Sequence, residues 1–88
     1  MEGPEIGRVF NYFEKASVVA VEVYGNIKLG DTLRFVGGEK DFTDVVDSMQ
    51  IDGKNIESAK KGDRIGLKIC EKIGKGAKVY KVYWKNMV

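Results

Sequence analysis

The chain has 88 residues and a formal net charge of only +2, with 43% hydrophobic and 32% charged residues. This composition excludes a disordered protein and predicts one globular domain over residues 1–88, with an ordered core of about residues 5–84. No apolar run approaches the roughly 18 residues of a membrane-spanning helix, and no signal sequence follows Met1, so we expect a cytoplasmic protein without a membrane partner.

Residue types that carry catalysis or bind metals are scarce, because the chain has no histidine and one cysteine. Cys70 cannot form an internal disulfide and is predicted on the outward face of a strand. Asp41, Asp44 and Asp47 lack the spacing and the glycine of a calcium-binding loop. We therefore expect no catalytic residue, no metal site, no cofactor and no enzyme. Abundant Lys and Glu beside few thermolabile residues is typical of thermophilic proteins.

The first two predicted strands are Glu5–Phe13 and Ser17–Tyr24. The second is dense in β-branched residues, which favour a pleated strand over a helix. Its inward residues are predicted to be Val19, Val21 and Val23. Its outward residues are predicted to be Ala20, Glu22 and Tyr24. Gly25-Asn26 then predicts a hairpin turn, because both residues tolerate positive φ.

The middle of the chain predicts a third strand at Thr32–Val36 and a fourth at Phe42–Ile51. The parity of the apolar residues changes along the fourth strand, which predicts a β-bulge at Asp47-Ser48. Residues 55–61 are predicted to hold one helical turn.

Two more strands are predicted, at residues 64–69 and 77–84. The sequence does not decide which face of the last strand is buried. The expected core collects the inward apolar residues of the predicted strands: Val19, Val21, Val23, Leu33, Phe35, Ile65, Leu67 and Ile69.

A repeated turn organises the chain. Residues 60–63 read Lys-Lys-Gly-Asp, where Gly62 is predicted to take positive φ and Asp63 to hydrogen-bond the backbone beyond it. The pattern recurs at residues 28–31, and a weaker copy with alanine in place of aspartate lies at residues 75–79. We expect the copies to be matching corners of one small barrel, and interpret the two aspartates as corner residues rather than a catalytic pair.

These pieces occur together in a known family. The matching segments are Gly7-Arg8-Val9, Val18 to Val23, Leu29 to Leu33, Phe42 to Ile51 and Ala59 to Leu67. With them the chain resembles the second domain of the GTPase translation factors, the β-barrel module of elongation factor Tu and its relatives. The resemblance implies an all-β, closed or nearly closed antiparallel barrel of about six or seven strands. No Gly-x-x-x-x-Gly-Lys-Ser/Thr phosphate loop occurs, so we expect neither a GTPase nor a bound nucleotide.

The resemblance implies a non-catalytic module that binds RNA, the ribosome or tRNA. Lysines near aromatic side chains would supply phosphate attraction and stacking surfaces for such a partner. The candidate nucleic-acid-binding residues are Lys68, Lys72, Lys75, Lys78, Lys81, Lys85, Tyr83 and Trp84.

The alternative is a protein-interaction or accessory domain that docks onto a larger partner protein. Its docking patch would be exposed apolar residues of the first strand, Phe10 and Tyr12, or the surroundings of Trp84. A coherent lysine stripe on the surface would favour RNA, whereas a contiguous apolar patch would favour a protein partner.

Overall fold

A computed structural model describes residues 2–82, without the side chains of residues 2 and 3. In that range the chain forms ten β-strands and no helix, so none of it provides a helix that could cross a membrane. The strands are β1 Glu2–Phe13, β2 Val18–Val23, β3 Ile27–Lys28, β4 Thr32–Gly37, β5 Lys40–Val45, β6 Met49–Ile51, β7 Lys54–Ile56, β8 Ser58–Ala59, β9 Arg64–Lys68 and β10 Lys78–Val82.

Eight strands form one antiparallel sheet in the order β5-β4-β10-β1-β2-β9-β6-β7, and β3 pairs with β8 in a second sheet of two strands. The prediction of an all-β antiparallel fold is confirmed. The strand number is higher than the six or seven that were expected, because the segments between the long strands form short paired strands of their own.

The core follows the alternation of apolar residues along the strands. Every predicted core residue is buried, and Val19, Val21, Val23 and Leu33 have no exposed surface. The burial of Val79 shows that this residue marks the inward face of β10. Ala20 was predicted to point outward and is only 8% exposed, because small residues on the outer face are covered by their larger neighbours.

A bulge in β1 changes which aromatic residues reach the core. The register between β1 and β2 shifts between Val9 and Asn11, so that Phe10 is the extra residue. Val9 is buried, and Tyr12 packs against the same core although it lies three positions later. Phe10 and Phe13 consequently stay on the outside, 43% and 50% exposed.

Two predictions for the middle of the chain are wrong. The expected strand Phe42–Ile51 with a bulge at Asp47-Ser48 is two strands, because β5 pairs with β4 whereas β6 pairs with β9 and β7. Between β5 and β6 the chain stops pairing with β4 and begins to pair with β9, while Val46 and Met49 remain buried. Residues 55–61 contain the end of β7 and all of β8 instead of a helical turn, since strand pairing outweighs the weak helical preference of so short a segment.

Three turns of one geometry precede β4, β9 and β10, and we call them corners 1, 2 and 3 (residues 28–31, 60–63 and 74–77). Their third residues, Gly30, Gly62 and Gly76, have φ of +90°, +95° and +86°. The fourth residue donates its N–H to the carbonyl of the first, at 3.0 Å in corners 1 and 2 and 3.4 Å in corner 3. The predicted positive φ of Gly62 and the weaker third copy are confirmed.

Each corner also binds one valine by two backbone hydrogen bonds: Val9 within β1, Val23 at the end of β2 or Val46 directly after β5. In corner 2, Gly62 N–H donates to the Val23 carbonyl and Val23 N–H donates to the Asp63 carbonyl, both at 2.9 Å. Corner 1 holds Val46 and corner 3 holds Val9 in the same way, at 2.7–2.9 Å. The corners therefore extend three ladders of the main sheet by one bonded pair each.

The side chain of the fourth residue distinguishes the corners. Asp31 and Asp63 accept a hydrogen bond from the backbone N–H of Lys28 and Lys60, at 2.9 and 3.0 Å. The prediction placed this bond on backbone beyond Asp63, but the carboxylate reaches back to the first residue of its own turn. Corner 3 has Ala77 instead, which is buried so tightly against Gly37 that a Cβ on Gly37 would lie 2.6 Å from the Ala77 Cβ. An aspartate has no room there.

Replacing Gly62 by alanine is expected to destabilise the protein by more than about 1 kcal/mol, because the backbone at +95° is strained for any residue with a Cβ. No atom lies within 4 Å of the added Cβ, so a steric clash does not contribute. Denaturant unfolding measures the change.

Gly74→Ala is the matched control. Gly74 lies outside the left-handed region and its added Cβ also meets nothing within 4 Å, so stability should change by no more than about 0.5 kcal/mol. Equal losses in the two variants would contradict the assignment of strain to corner 2.

Candidate functional site

Over residues 2–82, the lysines of the predicted series do not share one face. Lys78 and Lys81 lie on β10, where Lys81 shares the inward parity of Val79 and Lys78 points to the opposite face. Lys72 and Lys75 lie together beside a groove at the loop before β10, and Lys68 is exposed on β9. Lys85, Tyr83 and Trp84 fall outside the described residues, as does the patch proposed around Trp84.

Two of these lysines are engaged in ion pairs. The Lys72 ammonium lies 3.1 Å from the Glu14 carboxylate, and both side chains are well exposed. The Lys81 ammonium lies 3.4 Å from the Asp31 carboxylate, where both side chains are largely buried, 16% and 20% exposed. Lys81 therefore belongs to corner 1 rather than to an open lysine surface.

A polar cavity of about 530 Å³ lies where corners 1 and 2 meet the end of β10, and we call it the cationic cavity. Its lining residues are Asn26, Lys28, Ser58, Ala59, Lys60, Asp63 and Lys81. Antiparallel pairing of β3 with β8 brings the first residues of the two corners to the same cavity. Sequence reasoning missed Lys28 and Lys60, although their matched positions in the repeated turn were a signal that they would lie together.

Apolar residues gather on the outer face of β1 and β2. The outer apolar patch consists of Phe10, Phe13, Val18 and Ala20. Phe13 pairs with Val18 across the strands, and a Cβ on Gly66 would lie 3.2 Å from Val18 Cγ1, which places the Val18 side chain over β9 on this outer face. The predicted docking pair was Phe10 and Tyr12. Phe10 belongs to the patch, but Tyr12 does not, because the bulge at Phe10 turns Tyr12 towards the core.

Arg64 supports the patch at one side. Its guanidinium carbon lies 5.6 Å from the centre of the Phe10 ring, a cation–π contact that holds the ring over β9. Lys68 on β9 pairs with Val18 and adds a second positive charge to the rim. The outer face of this sheet therefore combines exposed aromatic surface with a basic edge.

A second cavity, of about 580 Å³, lies between the β4–β5 turn and the loop before β10. Its walls include Gly37, Gly38, Gly74 and Gly76, with Tyr12 contributing an aromatic side chain. Over residues 2–82, no group of three or more His, Cys, Asp or Glu residues could hold a metal ion.

Cys70 is exposed, as predicted, and has the Asp44 carboxylate as its neighbour. A hydrogen bond from the thiol to Asp44 raises the pKa of Cys70, because ionisation would remove that bond, and the carboxylate's negative charge adds to the effect. The Asp44 carboxylate also accepts the backbone N–H of Cys70 at 2.8 Å. Cys70 is therefore a poor nucleophile near neutral pH.

Comparison with known proteins gives a different relationship from the one the motifs suggested. No family model matches the chain. Its sequence is 43% identical over 77 residues to a protein of Methanocaldococcus jannaschii named an uncharacterized protease. The match covers 86% of this chain and 19% of that protein, so the chain spans about one fifth of the relative's length.

The fold is shared with the C-terminal domain of a Geobacillus thermoleovorans protein assigned as a U32 peptidase. One crystal structure of that domain superposes with a TM-score of 0.85 at 20% identity, covering 90% of this chain and 92% of the domain. Its selenomethionine form gives a TM-score of 0.82 at 19% identity, covering 86% and 96%. At this identity the likeness demonstrates a common fold and leaves function open.

The predicted relationship to translation-factor domain 2 is wrong, because the sequence relative and the matching folds are peptidase-type proteins. The Gly-Asp corners that supported it are local turn chemistry, which can recur in unrelated β-folds. The predicted role in RNA, ribosome or tRNA binding, inferred from that family, is overturned with it. The expectation of no enzyme is also corrected, since the relative is named a protease. That expectation rested on the residue types of a chain that spans only part of its relative.

Replacing Asp44 by asparagine is expected to speed alkylation of Cys70 by iodoacetamide at pH 8 several-fold. Loss of the carboxylate lowers the pKa of the thiol and so raises the thiolate fraction. Asp47→Asn is the control, since this nearby exposed aspartate makes no hydrogen bond to Cys70. The same alkylation rate in all three proteins would show that Asp44 does not control the thiol. Mass spectrometry of timed samples gives the rates.

Proposed function

We propose that residues 1–88 form one all-β accessory domain of a U32-type peptidase, which docks onto the larger catalytic part of that protein. The observation that carries the proposal is the 43% identity over 77 residues to a protein named a protease. The relative is about five times longer than the matched region, which leaves ample chain for a separate catalytic part.

The outer apolar patch is the surface that we assign to docking. Phe10 and Phe13 expose 43% and 50% of their surface on a sheet whose other large apolar residues are mostly buried. Aromatic side chains beside an arginine are the residues that most often dominate the energy of protein interfaces. With Arg64 and Lys68 at the rim, the patch suits a partner surface that is apolar at its centre and acidic at its edge.

The main sheet is proposed to curl into a nearly closed barrel. Its seam would run between β5 and the end of β9, where Asp44 accepts the backbone N–H of Cys70 at 2.8 Å. Phe35 and Leu67, from the two sides of that seam, line one small apolar cavity. A closed barrel would hold the docking face rigid, which lowers the entropy lost on binding.

The test of docking is isothermal titration of this chain into the catalytic part of a U32-type peptidase from the same organism, prepared without its own domain of this fold. The parent is expected to bind saturably, and Phe10→Asp is expected to weaken binding at least tenfold, because a charge would be buried against an apolar surface. Failure of the parent to bind would contradict the proposed function.

Leu29→Asp is the matched control, since Leu29 is 42% exposed outside the outer apolar patch. It should change the affinity by less than about twofold. A loss equal to that of Phe10→Asp would contradict the assignment of the patch. Thermal melts of both variants confirm that each is folded before the titrations are compared.

A further inference from the structure

The cationic cavity is lined by two lysines that form no ion pair with other described residues. Within residues 2–82, neither Lys28 nor Lys60 forms an ion pair, although each is the first residue of a corner. Their backbone N–H groups are bound to Asp31 and Asp63, so the positions from which the two side chains project are fixed by the turns. The ammonium groups remain available to a ligand.

The charge of the cavity is positive. Lys28, Lys60, Lys81 and Asp63 line it, and Asp31 lies beside it through its ion pair with Lys81. Asp31 is already engaged with Lys81 at 3.4 Å, which leaves the ammonium groups of Lys28 and Lys60 in excess over a single carboxylate. A compact anion would reduce the repulsion between the two lysine side chains. Because the cavity is partly enclosed, the attraction between this anion and the lysines is stronger there than in open solvent.

The uncharged lining fits the same kind of ligand. Asn26 and Ser58 contribute an amide and a hydroxyl, both of which can donate hydrogen bonds to an anionic oxygen. Lysine ammonium groups attract concentrated charge and impose no planar geometry, unlike the fork of an arginine. The only apolar side chain at the cavity is Ala59 among the described lining residues, which leaves little surface for a hydrophobic ligand.

We infer that the cationic cavity is a binding site for a small oxyanion that carries at least two negative charges. A phosphate group or a pair of carboxylates has this chemistry. Lys28 and Lys60 bind the anion directly, Ser58 and Asn26 donate to its oxygens, and Lys81 is held at the edge by Asp31. The site does not depend on the proposed docking function, because it lies at the corners and not on the outer apolar patch.

The test is a titration followed by amide NMR shifts, with inorganic phosphate in one arm and citrate in the other, at an ionic strength held constant with sodium chloride. Constant ionic strength removes general screening as a cause of the shifts. Saturable shifts centred on Lys28, Lys60 and Asp63 are expected in at least one arm, and the arm that saturates at lower concentration identifies the source of the oxyanion.

Two double variants of equal net charge make the test specific. Lys28→Gln with Lys60→Gln is expected to raise the Kd at least tenfold. Lys15→Gln with Lys54→Gln, which removes two exposed lysines outside the cavity, should leave the Kd within about twofold. Shifts that do not saturate in either arm, or equal weakening in both variants, would overturn the inference. Melting temperatures in chloride alone verify that both variants keep the parental fold.

Discussion

The pair of backbone hydrogen bonds between each corner and a valine is the constraint on which the rest of the structure depends. A strand that follows a turn needs a fixed starting register, since a shift of one residue would turn its buried side chains outward. The bonds to Val9, Val23 and Val46 set that register for β10, β9 and β4. Glycine at positive φ makes each turn tight enough to form them, so three short sequences set the register of three ladders in the sheet of eight strands.

The corners also position the lysines of the cationic cavity. Corners 1 and 2 are linked through the β3–β8 pair, which places Lys28 and Lys60 at one cavity although they are distant in sequence. Corner 3 carries Ala77, lacks the carboxylate of the other two, and instead allows close packing on Gly37. The outer apolar patch depends on a different irregularity, the bulge at Phe10. The proposed docking face and the proposed anion site are therefore separate in position and in structural origin.

Alternation along single strands predicted part of the core correctly, because Val19, Leu33 and Leu67 need only a pleated backbone with one buried face. It did not identify Ile27 and Ile73, which are also buried. The repeated turn was also readable, since glycine and aspartate have defined roles in tight turns. The pairing of segments that are far apart in the sequence could not be predicted. The bulge that sends Tyr12 inward and the pairing of β6 with β9 depend on neighbours far along the chain. The expected relationship to translation-factor domain 2 was wrong because turn chemistry is shared by many β-folds.

Hydrogen exchange of the backbone amides of Val9, Val23 and Val46 tests the role of the corners most directly. If the corner bonds set the register of the sheet, these amides open only when the sheet unfolds, and they should exchange as slowly as the slowest amides of β2 and β9. The amide of Gly38, at the exposed tip of the β4–β5 turn, provides the fast reference in the same spectrum. Exchange of the three valine amides at rates close to that of Gly38 would contradict the account.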